Sequence, residues 1–335
     1  MNILILGGDG FIGSYLRKKH LELGDTVTII DKECIRSDLN SKEYNFRHYY
    51  IEEYGFNTFE FDLSLIKPDL AYNCIAIATP HYYVLEPIKT FDLDFKINYD
   101  IINILHRHKI PFIHFSTCEV YGKKYTRPYE EDATDSIFGP AIKSRWIYAT
   151  SKLLLDQLLC ANQGEHVTIR PFNFIEHDID WLPDLNKCDK YWRPRLPSCF
   201  LNSLLTNTPF NIVLPGTQRR CYTHIDDAIN AITLIVANWD KCKNEIINIG
   251  NPKNEISVIE AAISMLDKYN ELCETTKEFK FNSVYGQDYY GQGYEDCERR
   301  IPDISKINRL TKWYPRINLN SAFELTIKHA LEKYK

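Results

Sequence analysis

The sequence contains no block of five like charges, and its net charge is only −5, from 40 Lys and Arg against 45 Asp and Glu. A polybasic surface for nucleic acid or membrane is therefore not expected. No apolar run approaches the length needed to cross a bilayer. The opening MNILILGGDG has no basic n-region and no small-residue cleavage site. It predicts no signal peptide and a cytoplasmic location. Ten cysteines occur, but none forms a C-x-x-C pair and their spacing is irregular. Free thiols are expected in place of disulfides, and no metal site is expected. Internal repeats and low-complexity tracts are also lacking.

What is present is a chain of 335 residues, 44% hydrophobic and 25% charged. That is enough for one large or two interlocked domains of ordinary globular composition. Residues 2–6, 11–23 and 26–30 read as strand, helix and strand, a βαβ unit. Residues 69–78, 111–116, 166–170 and 245–250 read as further strands. Residues 91–108, 146–161, 258–269 and 321–334 have helical periodicity. Alternating strands and helices predict an α/β fold, a Rossmann-type doubly wound parallel sheet with a smaller α/β lobe. The Rossmann domain is expected over 1–170, with 219–252 returning to it and 171–335 mainly forming the lobe. Residues 174–198 have weak periodicity, and the stretch 181–195 is assigned no role.

The stretch GGDGFIG spans Gly7 to Gly13. It fits G-x-G-x-x-G through Gly8, Gly10 and Gly13, and G-x-x-G-x-x-G through Gly7, Gly10 and Gly13. Glycines allow the tight turn and close backbone approach to a pyrophosphate, which rests on the helix opened by Phe11 and Ile12. Asp31 closes the next strand about twenty residues on, where an acid binds ribose hydroxyls and repels a 2′-phosphate. This points to NAD; the alternative for Asp31 is a surface charge at a strand end. Asp62, Leu63 and Ala78 are expected to complete the NAD site.

In IYATSK, Tyr148 and Lys152 are four apart and share a helix face. A phenol of pKa about 10 is a poor base at neutral pH, but a nearby ammonium and a nicotinamide cation favour its phenolate. The alternative is a solvated helix face. In HFSTCEVYG, Thr117, Cys118 and Glu119 set a hydroxyl, a thiol and a carboxylate at a strand end.

Together, GGDGFIG, Asp31, STCEVYG and YATSK resemble the extended short-chain dehydrogenases/reductases that act on nucleotide sugars. RWIYATSK, RPFNF, QRRCYTHIDDAI, INIGNPKNE and YYGQGYEDCERRIPD carry the resemblance through nearly the whole chain, toward the UDP-glucuronate decarboxylase branch. Cys118 within STCEVYG, IFGPAIKSRWIYATSK and ERRIPD are similar to the plant UDP-apiose/UDP-xylose synthases of that branch.

The resemblance implies that the smaller lobe binds a UDP-sugar and that NAD is regenerated within each turnover. It implies that Tyr148 takes the proton of the sugar C4 hydroxyl, held by Thr117, while Lys152 positions the nicotinamide ribose. Glu119 and Arg300 match the pair assigned to CO₂ loss and protonation. Tyr83, Arg145, Asn173, Arg220 and Tyr294 match substrate contacts, against a surface-charge reading of Arg220 and Arg300. A homodimer is implied by the same resemblance.

Cys118 has two readings. A thiol of ordinary pKa about 8.5 suits the proton shuttling that ring contraction to UDP-apiose requires. A buried cysteine is also a small inert hydrophobe, which would leave a plain decarboxylase. A third reading, a non-catalytic dinucleotide sensor, could dispense with Tyr148 and Lys152.

Overall fold

The computed structural model describes residues 1–31, 46–49, 63–123, 128–162, 164–180 and 194–334. Strands β1 (Asn2–Leu6), β2 (Thr26–Ile30), β3 (Phe46–Tyr49), β4 (Leu70–Asn73), β5 (Phe112–Phe115) and β6 (His166–Pro171) come first. Four short strands follow outside their sheet: β7 (Phe174–Ile175), β8 (Phe210–Val213), β9 (Arg219–Cys221) and β10 (Thr223–His224). The chain then returns with β11 (Ile246–Ile249). The main sheet has seven strands in the order β11-β6-β5-β4-β1-β2-β3. Every pairing in it is parallel.

Both faces of this sheet are covered, which explains why its strands read as unbroken apolar runs. Successive side chains point to opposite faces. Ile3, Ile5, Val27 and Ile29 pack on one face with Leu16 of the helix Phe11–Glu22 and with Ile225, Ile229 and Ile232 of the helix Ile225–Ala237. Leu4, Leu6 and Ile30 pack on the other with Ile101 and Leu105 of the helix Asn98–Arg107 and Leu155 of the helix Ile147–Ala161. Ile307 and Trp313 join the first of these cores although they lie late in the chain.

A second core lies outside the sheet. Phe200, Leu204, Phe210, Ile212, Val258, Met265, Phe323 and Ile327 build it. It unites the helices Leu196–Thr206, Val258–Cys273 and Leu319–Tyr334 with β8, which pairs in parallel with β13 (Phe281–Val284). β9 stands between β12 (Glu255–Ser257) and β14 (Arg299–Arg300) in a three-stranded sheet. Within 219–252 it is thus β11 that re-enters the main sheet, while β9 belongs to the small one.

Two elements differ from the sequence pattern. The apolar run 69–78 is strand only over Leu70–Asn73. Beyond it the buried Asn73 amide donates to Asn98 at 2.8 Å, and Cys74–Ala78 leaves the sheet. The helix predicted over 91–108 begins earlier and in pieces. Pro87 breaks it after the helix Pro80–Leu85, because proline has no N–H to give and disfavours helical geometry at Glu86 (φ −127°, ψ 57°). A π-helical stretch, Asp92–Ile97, then precedes Asn98–Arg107. Among the described residues no helix is long and apolar enough to cross a membrane. The eight described cysteines are all free.

Candidate active site

The strand order reverses between β1 and β4, where the connections run to opposite faces and leave a crevice beyond the strand ends. A cavity of about 1110 Å³ opens there. Gly7 follows β1 with φ +76°. A Cβ at Gly13 would meet the Gly7 carbonyl at 2.3 Å and the Gly8 Cα at 2.7 Å, so helix and turn can close together only over glycine. Gly10 caps the helix Phe11–Glu22 without a side chain, and no acid sits in its first turn. Gly7, Gly10, Phe11, Ile12 and Gly13 line the cavity with Ala78. An uncapped helix N-terminus facing a cavity fits a pyrophosphate. The Asp31 carboxylate stands at the end of β2 and accepts the Asp9 amide at 3.0 Å. Leu63 does not line the cavity: it is 2% exposed and packs in the core with Leu4 and Ile30. Asp62 lies outside the described residues, as do residues 181–193 of the unassigned loop.

β5 ends at Phe115 and delivers Thr117, Cys118 and Glu119 to the same cavity. Thr117 caps a single 3-10 turn, its hydroxyl accepting the Glu119 amide at 3.2 Å. Glu119 is gripped from two sides. Arg145 donates to one carboxylate oxygen at 2.5 Å and Arg300 to the other at 3.0 Å. Burial pushes the Glu119 carboxyl up, but the two guanidinium groups outweigh it and hold the pKa down to about 2. Arg145 Nε, Arg300 Nε and Arg300 Nη2 are buried without a hydrogen-bond partner among the described residues. Buried N–H groups left unmade are costly, so these groups could donate to an oxygen-rich ligand.

Cys118 is 4% exposed and packs with Val120, Tyr121, Tyr129 and Phe172. Burial pushes its thiol up to about 11, with Arg300 opposing. That is above the ordinary value of about 8.5 from which the proton-shuttle reading starts.

Tyr148 stacks on Tyr83 with centroids 4.4 Å apart and planes inclined by 6°. Its phenol stands well above its ordinary pKa through burial and the charges of Asp94 and Glu119; a hydrogen bond from Thr117 opposes this. Lys152 does not line the cavity. Its ammonium is fully buried, 3.6 Å from Asp94 and 3.4 Å from the Ile75 carbonyl. Burial pushes the lysine down and raises Asp94 to about 7, each partly restrained by the other.

Asn173, Arg220 and Tyr294, expected to contact substrate, also line the cavity. Asn173 adopts φ +40° and donates to the Cys221 carbonyl at 3.2 Å. Arg220 pairs with Asp296 at 2.6 Å, and Tyr294 stacks on Tyr290. The residues expected to be catalytic or to contact the sugar, Lys152 apart, therefore line one cavity from six separate stretches of chain. The sequence reading missed Asp94, whose signal was absent because a π-helical turn has no hydrophobic period of its own to read. It also missed Asp296, which sits within the quoted YYGQGYEDCERRIPD and pairs with an arginine that was selected.

A model of the NAD dependent epimerase/dehydratase family matches residues 3–250. The UDP-D-apiose/UDP-D-xylose synthase of Oryza sativa subsp. japonica is 33% identical, over 100% of this chain and 90% of that protein. The crystal structure of the PbgP3 protein from Burkholderia pseudomallei is 30% identical with a TM-score of 0.82, covering 99% of this chain and 96% of that one. The UDP-glucuronic acid 4-epimerase of Bacillus cereus, solved with UDP-glucuronic acid and NAD, shares the fold at 22% identity and a TM-score of 0.80, over the full length of both chains.

Proposed function

The chain belongs to the NAD dependent epimerase/dehydratase family, and from that premise we propose that it oxidises and decarboxylates UDP-glucuronate, contracting the ring to UDP-apiose with UDP-xylose as companion product. NAD is the cofactor, and the glycine turn, the uncapped helix and Asp31 fit it. Bound there, it supplies reversible hydride transfer at the sugar's C4.

Tyr148 takes the C4 hydroxyl proton as that carbon becomes a ketone, with Thr117 hydrogen-bonding the same oxygen; burial raises its phenol, so this role requires the nicotinamide cation to bring the pKa down. Lys152, buried against Asp94 and outside the cavity lining, supplies positive charge behind the tyrosine. The C6 carboxylate is then β to a carbonyl. When its bond to C5 breaks, CO₂ leaves and the electron pair passes into an enolate. The free N–H groups of Arg145 and Arg300 receive the substrate carboxylate. As that carboxylate competes for the two guanidinium groups, Glu119 loses stabilisation and its pKa rises, which converts it into a proton carrier. Ring contraction then breaks the C2–C3 bond by a retro-aldol step and forms a new C2–C4 bond by an aldol step, with protons moved between hydroxyls beside Cys118; the hydride taken at C4 would be returned to the C3 aldehyde this leaves, so the overall change is redox-neutral.

The single observation that carries this reading is the pair of buried arginines with unpartnered N–H groups, flanking Glu119 in one cavity with Tyr148. The similarity to a UDP-D-apiose/UDP-D-xylose synthase over the whole chain supports the product. A second reading, a plain decarboxylase giving UDP-xylose or the 4-keto-pentose, is favoured by the apolar packing of Cys118. The sensor reading is disfavoured because Tyr148 and Lys152 are both present. A homodimer is proposed on the same family grounds, with Leu154 and Leu158 exposed one turn apart on the helix Ile147–Ala161.

The test is to incubate purified protein with UDP-glucuronate and a trace of NAD⁺ and to resolve the products by NMR. UDP-apiose or its cyclic phosphate supports ring contraction. UDP-xylose or the 4-keto-pentose alone selects the second reading, and absence of CO₂ release overturns both.

A further inference from the structure

Glu176 follows β7 and is 1% exposed. Among the described residues its hydrogen-bond partners are three imidazoles and one amide, with no arginine or lysine. One carboxylate oxygen accepts the His177 amide at 2.6 Å and lies 3.1 Å from His177 Nδ1. The other lies 3.0 Å from His224 Nε2 and 2.8 Å from His329 Nδ1. A carboxylate withdrawn from water needs compensating positive charge. Two sources fit three imidazoles: protons on the rings, or a cation held between them.

The three rings are not equivalent. His224 is fully buried, and its Nδ1 accepts the Asp226 amide at 3.3 Å as the cap of the helix Ile225–Ala237. Its Nε2 therefore carries the proton and donates to Glu176. His177 and His329 each turn Nδ1 toward the carboxylate with no second bond that fixes the tautomer among those resolved. One Glu176 oxygen and one ring nitrogen from each of His177 and His329 lie within 4.8 Å of one another. A tetrahedral ion with ligand bonds of about 2.0–2.2 Å separates its ligands by roughly 3.4 Å, so small ring movements suffice.

We propose that Glu176, His177 and His329 bind one divalent transition-metal ion of the zinc type, with His224 orienting the carboxylate from behind. Two imidazoles and a carboxylate, the latter held by an outer hydrogen bond, match the donor chemistry such ions select. The site ties the segment after β7, where His177 also lines the main cavity, to the last helix 153 residues away. An ion here would hold the second core against the cofactor side of the cleft. These ligands come from distant segments, so no spacing along the chain marks them.

The experiment uses the untagged full chain, stripped with chelator, and titrates it with Zn²⁺ alone by calorimetry and with Co²⁺ by visible absorption. One equivalent should bind, with a tetrahedral Co²⁺ spectrum and a higher thermal midpoint. His329→Ala should weaken binding at least 100-fold; this side chain is 41% exposed, so the variant should fold. Glu176→Gln should do the same if it folds. Affinity should fall as pH drops, because the ligands must be neutral imidazoles. No stoichiometric binding, or binding unchanged in His329→Ala, overturns the proposal and leaves imidazolium charge as Glu176's partner.

Discussion

The Lys152 ammonium and the Asp94 carboxylate face each other at 3.6 Å with both side chains fully buried. Asp94 reaches this position from the π-helical stretch Asp92–Ile97, where its other oxygen accepts the Ile77 amide at 3.2 Å. Two buried charges in contact restrain each other's protonation. For Lys152, the group proposed to supply charge behind Tyr148, burial lowers the pKa and is opposed by an acid that the sequence pattern concealed.

Removing that acid gives the first prediction. An anion beside a lysine raises the lysine's pKa, so Asp94→Asn should lower the Lys152 pKa further. The alkaline limb of the pH–kcat profile should move to lower pH, and kcat at neutral pH should fall about 10-fold or more. A pH–rate series on both proteins checks this; an unmoved alkaline limb would detach Asp94 from Lys152's role.

For Glu119 the sign follows from a folded pKa of about 2, below its unfolded value. Its pairing contributes stability that is fully present above about pH 4.5 and is lost as pH falls toward 2. Glu119→Gln removes the anion between two buried arginines and should cost about 3–5 kcal/mol at pH 7. The loss should shrink in acid. Urea unfolding at pH 7 and pH 3 measures it, and CO₂ release from UDP-glucuronate should cease in the variant.

Cys118→Ser should keep decarboxylation and suppress the branched product. With its thiol pushed up to about 11, Cys118 is protonated at neutral pH and can only donate before it accepts. An unchanged apiose-to-xylose ratio by NMR would reduce it to packing against Val120 and Phe172.

Tyr148→Phe keeps the ring stacked on Tyr83 and removes only the hydroxyl. Oxidation at C4 should fall by about 10²–10⁴-fold. Absorbance at the NADH band after adding UDP-glucuronate reports the step directly, and persistent formation would remove Tyr148 from it.

Gly13→Ala should abolish NAD binding, because the new Cβ meets backbone atoms at 2.3 and 2.7 Å that cannot rotate away. Equilibrium dialysis with NAD, alongside circular dichroism to establish folding, tests this.

The sequence by itself determined the parallel sheet, the glycine turn and the residue types of the site. Strands buried on both faces must be apolar throughout, and a turn packed against a helix must be glycine; both constraints are local and leave a readable pattern. GGDGFIG, STCEVYG and YATSK each sit within a few residues of the element that positions them. Only the tertiary structure decided how those groups are charged. Glu119 meets Arg300 from 181 residues away, Lys152 meets Asp94 across two helices, and Glu176 meets His329 through the second core. Burial and long-range pairing set these charge states, and neither is a property of spacing along the chain.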